Sequence, residues 1–575
     1  MATFTQDNKA LRFRCSAGGD ALLLNRFTGS EAISELFRFE LELLAEQEVD
    51  FDAVLGKPAS IEIDLPGGSQ RFVHGIVSRL TQGRRVWVRG GKVALIRYQA
   101  ELAPKLWFLT RRVRCRIIQD ASLSEILDQL FTEWRIDYRP NLSRLYQKRP
   151  YWVQYNESDY QFFRRITAED GLSFFFQHDK AGHRLVVTDA QSGFAELDPG
   201  TIVYDDTEVG RVNEPRIRDW RKVQEVRANQ AVLRDYCFEM PTNELVGRAA
   251  VPAAAPLSLG RTKHGLNHPL LDAQNADLLV HLHYPGGYGQ RHDAVGADGS
   301  PQLHQEELTK IEADKDWLAR VRLEEDQATG LTVAGESDCA HFLPGFRFTL
   351  DRHYDSNVPA NDDDAFLLTA VEHSADIGGV YDSDNPGTAV YSNRFRGMPF
   401  ALTYRPARTP KPRIEGPQTA VVVGSKGAEI FLDLYGRIRV HFRWQDRADS
   451  ATSCWVRVAQ FWAGKNWGAQ FFPRVGHEVV VAFEDGDPDR PLVIGSVYNE
   501  VNRPALDLPD STMLSGIKSC TFGGAATANF NAIIFHDTPS NEHVQIHSEN
   551  NDVQNSETNQ FRYVNGARFD FHGSF

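Results

Sequence analysis

The stretch Asp433-Leu-Tyr-Gly-Arg-Ile-Arg-Val-His-Phe-Arg-Trp444 has a period of two from Arg437 onward. Arg437, Arg439, His441 and Arg443 fall on one face, and Ile438, Val440, Phe442 and Trp444 on the other, as in a half-buried β-strand. Around it lie Gly416-Pro-Gln-Thr-Ala-Val-Val-Val-Gly424, Ser453-Cys-Trp-Val-Arg-Val458 and Trp462-Ala-Gly464. Phe472-Pro-Arg-Val-Gly-His-Glu-Val-Val-Val-Ala-Phe483 and Gly486-Asp-Pro-Asp-Arg-Pro491 follow. Apolar runs broken by glycine and proline predict a compact β unit ending near Tyr498.

Upstream, Tyr404-Arg-Pro-Ala-Arg-Thr-Pro-Lys-Pro-Arg413 has the composition of a linker between domains. Downstream of about residue 506, short alternating strands are separated by Asn, Gly, Asp and Ser. Within that tail, Ala532 to His547 and Ala567 to His572 alternate apolar and polar residues, but each strand is too short to build a core alone. Three chains winding together would bury those faces and leave no free sheet edge.

The region before the linker is also mostly β. Phe37, Phe39, Leu41 and Leu43 share one strand face, and Pro66-Gly67-Gly68 separates Ile61-Glu62-Ile63 from Phe72-Val73-His74-Gly75-Ile76-Val77 as a hairpin turn would. Three helices interrupt it. One opens with the capping box Ser122-Leu-Ser-Glu125 and presents Leu123, Ile126, Leu127, Leu130 and Phe131. The second is predicted from an N-cap at Asp159 to Gly171, with Phe162, Phe163 and Ile166 buried. The third runs from about Gln302 to Ala328, stops at Gly330, and carries a stripe of Leu308, Ile311, Leu318 and Val321. Residues 200–255 read as further strands, residues 256–300 as an irregular excursion, and strands resume from Leu331 to Tyr391.

A chain of 575 residues predicts about three to five domains. Hydrophobic residues at 42% and charged residues at 24% are globular values and argue against wholesale disorder. The net charge of −14 disfavours a general hold on nucleic acid or anionic lipid. Cys15, Cys115, Cys237, Cys339, Cys454 and Cys520 are scattered without a Cys-x-x-Cys pair. They are expected to be buried thiols of a chain that folds in a reducing cytoplasm. Met1 to Lys9 lacks the apolar core of a secretory signal, and no apolar run is long enough to span a bilayer. Export is therefore expected to bypass the usual secretory route.

Taken in order, the segments of 416–499 resemble the oligonucleotide-binding-like (OB-fold) barrel of VgrG proteins, the spikes of type VI secretion systems, with hub and spike proteins of contractile phage tails more distant. Leu102-Ala-Pro-Lys-Leu-Trp-Phe-Leu109, Arg116-Ile-Ile-Gln-Asp120, Tyr155-Asn-Glu-Ser-Asp159 and Glu169-Asp-Gly171 resemble that family's hub. Gly516 to Glu542, with Gly523-Gly524, Asn529, Asn531 and Asp537, is similar to the start of its needle.

The resemblance implies a mainly β protein with a few helices. Residues 1–400 would form a phage-tail-hub-like region of two tube-like β-barrels with inserted α/β segments. A linker at 401–415, an OB-fold barrel at 416–505 and the start of a triple-stranded intertwined β-helix at 506–575 would follow. It also implies a homotrimer whose hub sits on the Hcp tube within the baseplate, and whose needle accepts a PAAR-type tip and effectors. Such a protein punctures target membranes mechanically, passing from the bacterial cytoplasm across the envelope into a target cell.

Several stretches mimic reactive sites, and each has a plainer reading. His477-Glu478 opens like a zinc-protease motif without its second histidine. Asp485-Gly-Asp487-Pro-Asp489 opens like a calcium loop, but Arg490 and Ser496 stand where Gly and Glu are needed, so an acidic turn is expected. His264, His268, His281, His283, His292 and His304 have irregular spacing and read as a solvated loop. The basic face of Arg437 to Arg443 belongs to a class of barrel that often binds nucleic acid, yet its aromatics lie on the opposite face. Water or acidic neighbours in a trimer are the expected partners of those bases. No Gly-x-Ser-x-Gly elbow and no phosphate loop occurs. The expectation is a spike that is not an enzyme, with no catalytic, cofactor-binding or metal residue, no cofactor and no bound nucleic acid. The rivals are an activity hidden in the hub, since the chain ends before an appended effector domain would fit, and a nucleic-acid-binding barrel.

Overall fold

The computed structural model describes residues 4–569 apart from 89–92, 208–214, 253–256, 260–261, 267–277, 296–303, 352, 354–364, 379–380, 382–388 and 447–451. It divides into two compact units. The first holds Met1–Pro417, Arg443–Val456 and Ala482–Leu492; the second holds Gln418–Phe442, Arg457–Val481 and Val493–Phe575.

The first unit is organised by one continuous sheet. Strands Leu11–Cys15, Pro58–Asp64, Gln70–Val88, Val93–Ala103, Arg38–Ala45 and Leu23–Ala32 lie side by side in that order. The period-two reading of Arg38–Ala45 holds: Phe39, Leu41 and Leu43 are all buried, as is Phe37 just before the strand. Asp64 pairs with Gln70 across the predicted turn, where Gly67 and Gly68 both adopt positive φ. Leu23–Ala32 then pairs with Ala365–Asp376, from Arg26 opposite Asp376 to Ala32 opposite Ala370.

The Ala365–Asp376 strand belongs to a closed barrel as well. Phe346–Asp351, Ala195–Tyr204, Arg216–Gln224, Leu331–Ser337 and Val390–Pro399 continue the sheet, and Val390–Pro399 pairs back onto Ala365–Asp376. The six strands close a ring, which removes their free edges. Its interior is aromatic: Trp220 meets Phe366 at 4.9 Å between ring centroids, and Phe342 meets Phe395 at 5.2 Å.

Three helices pack on this framework. Helix α1 (Leu123–Trp134) has the predicted capping box between Ser122 and Glu125 and buries all five predicted residues. Helix α2 (Asp159–Glu169) is capped by Ser158, with Gln161 closing a capping box; the N-cap predicted at Asp159 is off by one residue. The Asp159 side chain instead accepts hydrogen bonds from Arg112 (2.7 Å), Arg114 (2.9 Å), Gln154 (3.0 Å) and Trp134 (3.1 Å). Gly171 follows with φ of 81°. Helix α3 (Gln305–Gln327) buries Leu308, Ile311, Leu318 and Val321 as predicted, with residues 302 and 303 outside the described part.

Three expectations are corrected. The 256–300 excursion is not wholly irregular, because Leu257–Leu259 pairs with Thr262–His264, and Val280–His283 runs parallel to Gln230–Asp235. Residues 404–413 have no regular secondary structure but are not a solvated linker: Arg405 is buried, as are Leu402 and Ile414 on either side. Of the six free cysteines only Cys237 and Cys339 are buried; the other four are half-buried.

In the second unit, strands Arg439–Phe442, Gln418–Val423, Glu478–Phe483, Pro491–Val497 and Arg457–Val458 form a five-stranded sheet in that order. Ile438, Val440 and Phe442 are fully buried beside Ala420, Val422, Val479 and Val481, so the apolar face of the opening stretch is core. After it, Leu514–Lys518, Ala532–His536 and His543–His547 form a three-stranded antiparallel sheet. The alternation predicted for 567–572 forms no strand in Ala567–Phe569, and residues 570–572 lie outside the described ones.

Candidate functional site

The stretches that mimic reactive sites resolve into structural roles. His477 Nδ1 accepts from the Arg474 backbone N–H at 3.3 Å, and Glu478 opens a strand and accepts from Asn499 at 2.7 Å. Arg437 is buried and pairs with Asp433 four residues earlier, while Arg439 and His441 are half-buried and Arg443 is exposed. The four bases therefore do not form one open face. The excursion histidines scatter. His264 bonds Gln224 at 2.9 Å, His281 and His283 sit on another strand, His304 caps α3, and His268 lies outside the described residues. His292 alone is deeply buried, against Asp314 at 3.1 Å. Among the described residues, no group of three or more His, Cys, Asp or Glu is placed to hold a metal ion.

What the first unit does gather is an ionic junction. Arg291 is buried and donates to Asp170 at 2.7 Å and to Glu169 at 2.8 Å, at the C-terminal end of α2, with Asp314 of α3 at 3.7 Å. Arg149 pairs with the same two acids. Arg405 donates to Glu324 of α3 at 2.7 Å and to the carbonyls of Gly171 and Asp189 at 2.8 and 2.6 Å. Burial alone would raise the carboxyls of Glu169 and Asp314. Arg291 and Arg149 around Glu169, and His292 and Arg291 around Asp314, outweigh that and hold both well below the usual carboxylate range.

The predicted acidic turn belongs to the same junction. Lys411 Nζ lies 2.6 Å from Asp487 and 2.5 Å from Asp489, and Asp489 also accepts from the Val153 N–H at 2.8 Å. Burial would lower the Lys411 ammonium, but the two carboxylates raise it above its ordinary value. Each acid is thus matched to a cation, an arrangement that fixes loops and leaves no group free to attack or shuttle protons. Lys411, Arg405 and Arg291 were not singled out from sequence. Their partners lie 76 to 121 residues away, and no local pattern marks such a pairing.

A second buried cluster joins the sheet to the six-stranded barrel. Glu31 accepts from Arg71 at 2.6 Å and meets His373 Nε2 at 2.9 Å, with His178 Nε2 at 3.9 Å. Arg71 also donates to the carbonyl of Ala340 at 2.6 Å. Burial works against the Glu31 charge, but Arg71 and His373 pull its carboxyl down to about 2. Burial also drives His178 down to about 3, so it is neutral.

The second unit contributes a surface of another kind. In its three-stranded sheet Ile517, Ile533 and Ile546 stand in register, and Phe535 stands beside Val544. All five point to one face, and each is between 46% and 64% exposed. A sheet face of contiguous Ile, Phe and Val in water marks a surface that something covers.

Both units match known families. The model for the phage tail baseplate hub (GPD) matches residues 30–378, and that for the type VI secretion system/phage-baseplate injector OB domain matches residues 433–498. Over 569 residues the chain is 35% identical to the type VI secretion system spike protein VgrG1c of Pseudomonas aeruginosa, covering 96% of this chain and 71% of that protein. The chain belongs to the VgrG family of type VI secretion spike proteins. VgrG1a of the same organism is 35% identical over 95% of this chain and 78% of its own length. The actin cross-linking toxin VgrG1 of Vibrio cholerae is 30% identical, and this VgrG-family chain covers 46% of it. Among solved structures, the E. coli c3393 protein is described as a type VI secretion component resembling the T4 bacteriophage tail proteins gp27 and gp5. It superposes with a TM-score of 0.56 at 18% identity, over 84% of this chain and all of that one. VgrG from the Francisella PdpA–VgrG complex gives 0.53 at 9% identity over 91% of this chain and 76% of that one. These two likenesses establish the hub-and-spike fold of this VgrG-family member.

Proposed function

We propose that three copies of this spike assemble through the tail sheet into an intertwined needle, and that the trimer acts mechanically. The observation that carries this reading is the uncovered face of Ile517, Ile533, Phe535, Val544 and Ile546. A three-stranded sheet cannot bury that face on itself, whereas three copies turned toward a common axis bury all fifteen side chains, five per copy, at once.

In this reading residues 1–400 form the hub that caps the Hcp tube within the baseplate, 416–505 the OB-fold barrel, and 506–575 the start of the needle. The needle accepts a PAAR-type tip and effectors. The particle assembles in the bacterial cytoplasm and is driven across the envelope into a target cell. The chain supplies shape and partner surfaces, with no reaction of its own and no bound nucleic acid. Two features support a load-bearing hub: a barrel closed without free edges and loops locked by paired charges.

The test is co-sedimentation of the purified chain with assembled Hcp tubes, for the wild type and for Ile533→Asp/Phe535→Asp. The wild type is expected to pellet with tubes as a trimer, and the variant to lose both properties. A variant that stays trimeric would refute the role of the sheet face. Hydrolysis of peptidoglycan or of a protein substrate by the wild type would refute the purely mechanical reading.

A further inference from the structure

A second apolar surface in the same unit is more exposed than the tail sheet and more rigidly displayed. Ala463–Gly464 and Trp467–Gly468 pair as a tight hairpin whose turn residue Asn466 has φ of 61°. Below it, Gln460 clamps the two legs, donating to the Phe471 carbonyl and accepting from the Phe471 N–H, both at 2.9 Å. The hairpin holds Phe461, Trp462, Trp467 and Phe471 at 79%, 60%, 57% and 53% exposure. Phe461 stacks on Phe471 at 5.9 Å, and Trp462 meets Trp467 edge to face at 5.1 Å. Two glycines are required for this. A Cβ at Gly464 would lie 2.3 Å from the Trp467 ring, and Gly468 combines φ of 132° with a Cβ position 2.4 Å from the Trp462 carbonyl oxygen. Four large rings preorganised in water, at no ordering cost on contact, have the composition of an interface centre.

The chemistry of the surroundings selects the partner. From Val458 to Phe472 the only charged residue is Lys465. A phosphate-bearing ligand requires a cluster of cations along its backbone, which one lysine does not provide. The hairpin is also continuous with the tail sheet. Arg474, three residues beyond Phe471, pairs with Glu429 and donates to the Cys520 carbonyl at 2.6 Å, and Glu429 accepts from the Gly523 N–H at 2.7 Å. A copy that covers the sheet face therefore approaches the hairpin beside it.

We infer that the aromatic hairpin 461–471 is the barrel-level contact between copies of this chain, packing its four rings against the neighbouring protomer. The inference rests on the trimer reading and adds a second, separate point of closure above the needle.

Hydroxyl-radical footprinting of the full chain tests it, with the mass of the same sample measured in parallel. Trp87, 66% exposed in the first unit, is the internal reference. In a trimeric sample, Trp462 and Trp467 should label several-fold more slowly than Trp87, although the three are comparably exposed in the single chain. Trp467→Lys should lower the temperature at which the trimeric mass is lost. A trimer in which Trp462 and Trp467 label as fast as Trp87 would overturn the hairpin contact and leave the trimer standing. Protection that appears only on adding phosphatidylcholine vesicles would overturn it in favour of a lipid contact. A monomeric sample would overturn the trimer itself, and the contact with it.

Discussion

Arg291 carries the largest electrostatic consequence of any single side chain in the hub. It is buried among Glu169, Asp170 and Asp314, and its removal leaves Asp170 with only Arg149. Arg291→Met is expected to destabilise the first unit by about 3–5 kcal/mol, the cost of breaking a buried pair, read as a drop in its melting temperature. Lys411→Met, at a junction still partly open to water, should cost less, about 2 kcal/mol. The Glu31 cluster makes stability depend on pH. An unfolded histidine takes up its proton near its ordinary value of 6.5, whereas His178 does so only near 3. Between those values the unfolded chain binds more protons, so stability falls as pH is lowered, by up to about 1.4 kcal/mol per pH unit from this group. Glu31 adds a loss of the same sign as pH falls from its ordinary 4.5 toward about 2. Urea midpoints measured from neutral pH down to about 4 should decline, and His178→Gln should flatten the decline. A flat wild-type profile would contradict this electrostatic picture.

At the scale of elements, the start of α2 separates two roles that the sequence places on adjacent residues. Ser158 and Asp159 are both good caps, and the sequence alone favours neither. The structure gives the cap to Ser158, and sends Asp159 to arginines 45 and 47 residues away. Ser158→Ala should therefore cost about 1 kcal/mol, and Asp159→Asn about 2–3 kcal/mol, because it leaves buried donors unmatched. Equal losses would return the cap to Asp159. The same contrast explains what was legible beforehand. The strand at 38–45, the capping box of α1 and the apolar stripe of α3 are set by neighbours a few residues apart, so periodicity displays them. The packing of 404–413 and the clamp on Asp487 and Asp489 depend on partners far along the chain. Read locally, proline and lysine look like a linker, and aspartates flanked by glycine and proline look like a solvated turn. The hairpin at 461–471 was quoted for its Trp-Ala-Gly motif, but the exposure of its rings is a tertiary property that no spacing encodes.

For the whole molecule, the two units divide the labour. The first spends its apolar surface internally, on the interior of a closed barrel and on a sheet backed by helices. The second leaves Ile, Val, Phe and Trp side chains exposed on the tail sheet, on the aromatic hairpin and beyond, where Phe561 and Tyr563 are 89% and 93% exposed in a stretch without strands. Such a surface is costly for a solitary chain in water and favourable for an interlocked one. The measurement that bears most directly on this division is the solution mass of the full chain by light scattering across a dilution series. A trimeric spike requires a mass near three times 64.8 kDa that does not change on dilution. A mass of 64.8 kDa at every concentration would mean that the exposed faces are not joined by other copies, and would contradict the assembly on which the mechanical function depends.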